Sequence, residues 1–267
     1  MTTKVPFRQF YRGGGGPTPF QQLNVTEADY RRIGDHLDLD RKQQDYDTYW
    51  TFYEDFVVNA QNVAPDGWTR MVSGLAGDVS SGYAGPNGLW QCETAAGGGA
   101  GAVSIRLGTN SGITSDPFVK ELLPTIVIRF NQRVTLEASG KWWLGLGDSA
   151  FFAANSTTEP NDFIGFRRLS GAAVNAVTLD DTLETATVTS LTPTNGTFYI
   201  FKAELVKISS SAYAAKFYRD DRLVATHTEN LPDTTAAMTI GFKHFGDGGG
   251  GLVDFMYGWQ LREATRA

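Results

Sequence analysis

The chain of 267 residues is short of three things, and each absence removes a class of protein. It has one cysteine, Cys92, so an internal disulfide and a cysteine-built zinc site are both excluded. In the run Leu89-Trp90-Gln91-Cys92-Glu93 that thiol reads as a small buried hydrophobe, with no His nearby in sequence to activate it. No apolar stretch approaches the roughly 18 residues of a membrane-spanning helix. Positive charge is also scarce: 23 Lys and Arg stand against 29 Asp and Glu, a net charge of −6. A duplex-binding domain usually carries a basic footprint, so nucleic acid is not the expected partner. The start, Met1-Thr2-Thr3-Lys4-Val5-Pro6, has no apolar core of a signal peptide, and the expectation is a protein made in a cytoplasm.

What is present points to a turn-rich β protein. Glycine numbers 30 and aromatic residues make up 12% of the chain, so there is material for a core and for many tight turns. The charge is unevenly placed. Residues 1–47 hold seven basic and seven acidic side chains, which leaves the whole net charge of −6 to the remainder. This divides the chain into an N-terminal docking arm, 1–47, and a body, 48–267. The arm interleaves Lys4, Arg8 and Arg12 with Phe7, Phe10 and Tyr11, and no acid precedes Glu27. Gly13 to Gly16 then form a joint that cannot pack side chains. Thr26 is placed to cap a short helix over about 27–33, with acids in its first turn and Arg31 and Arg32 in its last. The arm's six basic and aromatic residues are the candidate partner-binding set, with the aromatics as anchors.

Past residue 48 the period is two. Ile126, Ile128, Phe130, Val134 and Leu136 share one parity and Arg129, Asn131, Arg133 and Glu137 the other, which predicts a strand buried on one face and solvated on the opposite one. Val253, Phe255, Tyr257 and Trp259 alternate in the same way, so that strand is expected to turn all four inward. About fourteen such runs with no 3.6 periodicity predict two stacked antiparallel sheets. Asp220-Asp221 and Pro193-Thr194-Asn195-Gly196 are the clearest turns.

Chemistry-bearing motifs are sparse. A retaining glycoside hydrolase needs two carboxylates about 5–5.5 Å apart. On one strand face that pair is most simply Glu-x-Asp-x-x-Glu, which does not occur; Glu54, Asp55, Glu93, Glu137, Glu204 and Asp254 stand in other spacings. There is no Gly-x-Ser-x-Gly elbow, and His36, His227 and His244 lie apart. Loop oxygens near Asp247, or Asp148 and Glu159 with Asn161 and Asp162, are of the kind Ca²⁺ takes. A solvated glycine loop is the simpler reading, and neither metal nor cofactor is expected. In Trp142–Gly147, Trp142 shares a face with Leu144 and Leu146 and belongs to the core, while Trp143 shares the other with Gly145 and Gly147. A large aromatic beside glycines leaves a slot of the kind that stacks sugars, which makes Trp143 the candidate glycan-binding residue.

The order of these segments, and above all Phe217-Tyr218-Arg219-Asp220-Asp221-Arg222-Leu223-Val224-Ala225-Thr226-His227 followed by Val253-Asp254-Phe255-Met256-Tyr257-Gly258-Trp259, resembles concanavalin A-like (laminin-G-type) jelly-roll sandwiches. With an arm ahead of it, the pattern is similar to sandwich proteins on tailed-phage virions. The resemblance covers about residues 50–263. It implies an all-β, two-sheet antiparallel jelly roll with an extended N-terminal arm and one short helix. It further implies a non-enzymatic structural protein that decorates or cements a phage virion, docked on a subunit such as a major capsid protein and forming a homo-oligomer. The alternative is a glycan-binding module of a tail fibre or host-contact protein, and a glycoside hydrolase or lyase ranks third.

Overall fold

The computed structural model describes residues 3–6, 22–25, 49–54, 68–73, 79–83, 89–94, 101–108, 118–134, 141–153, 159–169, 172–233, 236–246 and 249–261. The chain divides into two compact units, Met1–Tyr49 and Trp50–Ala267. In the first, β1 (Thr3–Pro6) and β2 (Gln22–Val25) pair antiparallel, with Lys4 opposite Asn24 and Val5 opposite Leu23. Val5, Leu23 and Val25 favour the extended backbone of such a pair. Phe7, Arg8, Phe10, Tyr11 and Arg12 and the helix expected over 27–33 lie outside the described residues.

The second unit is a concanavalin A-like sandwich of two antiparallel sheets. Its strands are β3 (Tyr49–Glu54), β4 (Trp68–Ser73), β5 (Val79–Tyr83), β6 (Trp90–Thr94), β7 (Ala102–Leu107), β8 (Thr125–Val134), β9 (Lys141–Gly147), β10 (Asp162–Arg168), β11 (Val174–Asp180), β12 (Leu183–Leu191), β13 (Phe198–Lys207), β14 (Tyr213–Arg219), β15 (Arg222–His227), β16 (Thr239–Phe245) and β17 (Gly249–Leu261). One sheet has seven strands in the order β12-β11-β10-β9-β16-β7-β4. The other has eight, β15-β14-β13-β8-β17-β6-β5, and β3 pairs with β17 outside that order. A single short α-helix among the described residues, α1 (Ser149–Ala153), follows β9. The β14–β15 hairpin turns at Asp220 and Asp221, both with positive φ (48° and 64°), which is the type I′ geometry that matches strand twist.

Between the sheets lies one aromatic-rich core. Phe130 of β8 packs on Trp142 of β9 and on Phe242 of β16, each with centroids 4.9 Å apart, and Phe166 meets Phe201 at 4.7 Å. Ile126, Ile128 and Phe130 are buried there as their parity requires. The opposite parity of β8 is not solvated, however: Thr125, Val127 and Asn131 are also buried, and Arg129 alone among the described odd positions reaches water. A second correction concerns β17. Its register against β8 slips between Val253 and Phe255, so that Val253 faces Phe130 and Met256 faces Ile128. That bulge at Asp254 sends Phe255, Tyr257 and Trp259 to the outer side of the eight-stranded sheet, where they form a ladder with centroid spacings of 5.6 and 6.2 Å. Val253 and Met256 stay in the core.

Candidate functional site

Sugar stacking would need the outer face of the seven-stranded sheet to be open near Trp143. Instead Trp143 is 0% exposed. Gly145 of β9 lies level with Gly165 of β10 and Gly241 of β16, a row of three bare backbones across the sheet. The rings of Phe163 and Phe152 occupy this smooth strip; a Cβ on Gly241 would come within 2.8 Å of Phe152, and one on Gly165 within 2.9 Å of Phe163. Trp143 meets Phe163 edge-on at 4.9 Å and Phe151 at 5.7 Å, and Arg167 lies over its other side at 4.9 Å. The slot beside the indole is thus filled by the chain's own aromatics, and Trp143 belongs to a second buried cluster rather than to an open stacking platform.

The cover is α1, held at both ends. Asp148 caps it, accepting from the amide of Phe151 at 2.5 Å and from that of Asn161 at 3.1 Å. Lys243 Nζ donates to the carbonyl of Phe151, and Ser104 Oγ to that of Phe152, both at 2.5 Å. Lys243 is fully buried, and this burial lowers its pKa to about 8, with Asp148 opposing the shift. Arg167 makes a two-pronged pair with Glu184 at 2.6 Å for each oxygen, and Glu159 stands 3.8 Å away. A five-residue helix has no period to read and little stability alone, so this cover was not legible in the sequence.

Of the three histidines, two are described, and both are buried in the sandwich. Thr94 donates its hydroxyl proton to the carbonyl of Gly246 at 2.9 Å, so His244 Nε2, 2.8 Å from the same oxygen, is the donor to it. Burial pushes the His244 pKa down to about 4. His227 is bracketed by the hydroxyls of Thr178 and Thr187 at 3.1 and 2.9 Å, tying β15 to β11 and β12, and burial lowers its pKa as well. Neither faces a nucleophile. The strand carboxylates are engaged too: Asp254 pairs with Arg129, Glu204 with Lys202 at 3.3 Å, and Glu93 accepts from Gln91 at 2.7 Å. Glu54 and Cys92 are buried. Asp55, Glu137 and Asp247 lie outside the described residues.

One constellation remains, at the rim where β9 ends, β10 begins and β11 ends. Asp162 and Asp180 are direct cross-strand partners. Asp162 is pushed up to about 6, by burial first and then by the charges of Asp180 and Asp181, with Asp148 adding a little; a backbone hydrogen bond at Asp233 opposes the rise. Asp180 is raised as well, by burial and by Asp233 and Asp181, against a lowering contribution from Lys120. The sequence showed Asp148 and Asp162 as loop acids but gave no sign that the Asp180-Asp181 turn would join them, because that depends on strand register. No set of three or more acid, His or Cys side chains among the described residues is arranged to hold a metal ion. The rim is an acidic edge in which burial and the neighbouring carboxylates push one carboxyl up to about 6.

No protein-family model matches the chain, and no curated protein does. Solved structures do share its fold. A Shewanella oneidensis MR-1 protein of unknown function aligns with a TM-score of 0.56 and 15% identity, over 82% of this chain and 90% of that one. The carbohydrate recognition domain of Emp47p aligns at 0.51 and 9% identity (80% and 96% covered), and that of Emp46p in metal-free form at 0.50 and 14% (76% and 93%). At such identities the likeness extends to the fold alone.

Proposed function

We propose that the sandwich is a non-catalytic carbohydrate-recognition module that takes its ligand at the acidic rim of Asp162, Asp180, Asp181 and Asp233. The observation behind this is the cross-strand pair Asp162 and Asp180, a like-charged couple that a neutral polyol relieves by donating hydroxyl protons to it. Lys120, close enough to Asp180 to lower its pKa, supplies a donor for a ring or hydroxyl oxygen. Two of the similar structures are carbohydrate recognition domains, which favours this class of ligand. The acidic rim selects against uronic and sialic acids.

A carboxyl pushed up to about 6 beside a second carboxyl is also the electrostatic arrangement of an acid–base pair. The spacing of acids along the strands argues against turnover, and the test decides between the two. Binding on an array of neutral and acidic glycans is followed by titration calorimetry of the best ligand against wild type, Asp162→Asn and Asp180→Asn. Neutral-glycan binding weakened at least tenfold in Asp180→Asn, with no reducing sugar released, is the expected result. Absence of binding across the array, or release of sugar abolished by Asp162→Asn, overturns it.

Virion decoration, the leading expectation from the sequence, is the second reading. It rests on the composition of the arm, of which Lys4 is the one candidate docking residue among those described. Co-sedimentation of the chain lacking residues 1–16 with particles tests it, and normal attachment without the arm ends it.

A further inference from the structure

We propose that Asn195 is a site of spontaneous conversion to aspartate and isoaspartate, and that the carboxylate so formed is the missing counter-charge of the buried Arg168. Asn195-Gly196 lies between β12 and β13, in a turn closed by a bond from the Thr197 amide to the Thr194 carbonyl at 3.1 Å. Gly196 has a φ of 81°, the third-position geometry of a type II turn. Both residues are exposed, and a Cβ added at Gly196 would meet nothing within 4 Å. Glycine adds no side chain to obstruct its own nitrogen, and the space around it is open. The Gly196 N–H donates to the Gln132 carbonyl at 3.3 Å, and Gln132 Nε2 donates to Asn195 Oδ1 at 3.5 Å. Both bonds are long, and an exposed turn held in this way opens at small cost.

On opening, the Gly196 nitrogen attacks Asn195 Cγ. A C–N bond forms, the Cγ–NH2 bond breaks, and ammonia leaves with the proton that the Gly196 amide gives up. Water, the one co-reactant, then opens the five-membered imide. Cleavage at Cγ gives aspartate and cleavage at the main-chain carbonyl gives isoaspartate, each with one new negative charge. Arg168 gives that charge a destination. It is 5% exposed, and none of the ion pairs among the described residues includes it. Its Nε donates to the carbonyl of Ala172 at 2.9 Å and its Nη1 to Gln132 Oε1, both of them neutral acceptors. A buried cation held by neutral acceptors carries an uncompensated desolvation cost, and burial lowers the pKa of this one. Gln132, 1% exposed, is the relay: one end of its side-chain amide takes the guanidinium and the other reaches Asn195. A carboxylate at position 195 turns the second contact into a charge-assisted bond and faces Arg168 across one amide group.

Peptide mapping by mass spectrometry reads the conversion, as NH lost and O gained, in the full chain kept at mildly alkaline pH and body temperature. A free peptide of residues 193–198 under the same conditions is the clock. Asn195 is expected to convert within tenfold of that clock, to a mixture of aspartate and isoaspartate, and Gly196→Ala should slow it at least tenfold. Asn195→Asp fixes one product in place. It should raise the melting temperature at pH 7 by on the order of 2 °C, and the rise should vanish in an Arg168→Gln background. The new carboxyl in Asn195→Asp should titrate below the ordinary carboxylate range. If Arg168→Gln fails to fold, that titration, followed by carbon NMR, decides. An Asn195 still intact when the clock peptide is fully converted, an Asn195→Asp protein no more stable than wild type, or a new carboxyl that titrates at or above the ordinary value overturns the proposal.

Discussion

The two faces of the seven-stranded sheet are best compared through neighbours in sequence. Trp142 points between the sheets and Trp143 points away from them, yet each is 0% exposed. One strand over, Lys243 lies on the outer face and His244 on the inner, and both are also fully buried. Alternation sorts residues into two faces and says nothing about which face is wet. The inner face is dry because a second sheet lies on it. The outer face is dry around Trp143 because α1 lies across a row of glycines. Two hydrophobic clusters back to back on one sheet leave no open slot beside Trp143 among the described residues.

The sharpest way to break this comparison is to truncate the two tryptophans in parallel. Trp142→Ala and Trp143→Ala should each cost about 3–5 kcal/mol in denaturant unfolding, as for any fully buried aromatic. A Trp143→Ala protein as stable as wild type would mean that the outer cluster is open.

The next two tests read the buried titratable neighbours, which shift the same way for the same reason. His244 falls from its ordinary 6.5 to about 4, so the unfolded chain binds the extra proton between those values. Stability is fully present above about 6.5 and is lost as pH falls toward 4, by up to roughly 3 kcal/mol. His244→Gln should flatten that stretch of the profile. Lys243 falls from 10.5 to about 8, so the folded chain holds fewer protons across that range. Stability should therefore rise from pH 8 to 10.5, by no more than roughly 3 kcal/mol, and the rise should vanish in Lys243→Met. A flat profile for wild type would place water at α1.

The smallest effect belongs to the rim, which is partly solvated and has the opposite sign. Asp162 is raised from 3.8 to about 6, so the folded chain holds the extra proton and stability declines as pH rises through that window. Asp162→Asn should stabilise the chain at pH 7 by under about 1 kcal/mol, with no gain below pH 4. A loss of stability at pH 7 would mean that the ionised carboxylate has a partner there.

Much of the fold was legible residue by residue. The strand expected from Ile126, Ile128 and Phe130 is β8, and the turn expected at Asp220-Asp221 joins β14 to β15. β5, Val79-Ser80-Ser81-Gly82-Tyr83, has no alternation to read, and its strand character comes from pairing with β6. The acidic rim was half legible: Asp162 and Asp148 were candidates, and Asp180 joined them only through the register of β10 on β11.

The sequence alone determined an all-β sandwich, the inward residues Ile126, Ile128 and Phe130 of β8 and the hairpin turn at Asp220-Asp221, because these depend on side-chain period and local φ preference. Tertiary structure decided the rest. The bulge at Asp254 reversed the faces of Phe255, Tyr257 and Trp259, since one extra residue in a strand inverts every side chain beyond it. α1 closed the slot at Trp143, since a single turn of helix forms only where Lys243, Ser104 and Asp148 hold its ends. The raised pKa of Asp162 was decided first by burial and then by charges brought beside it across a strand pair, because both depend on position in space.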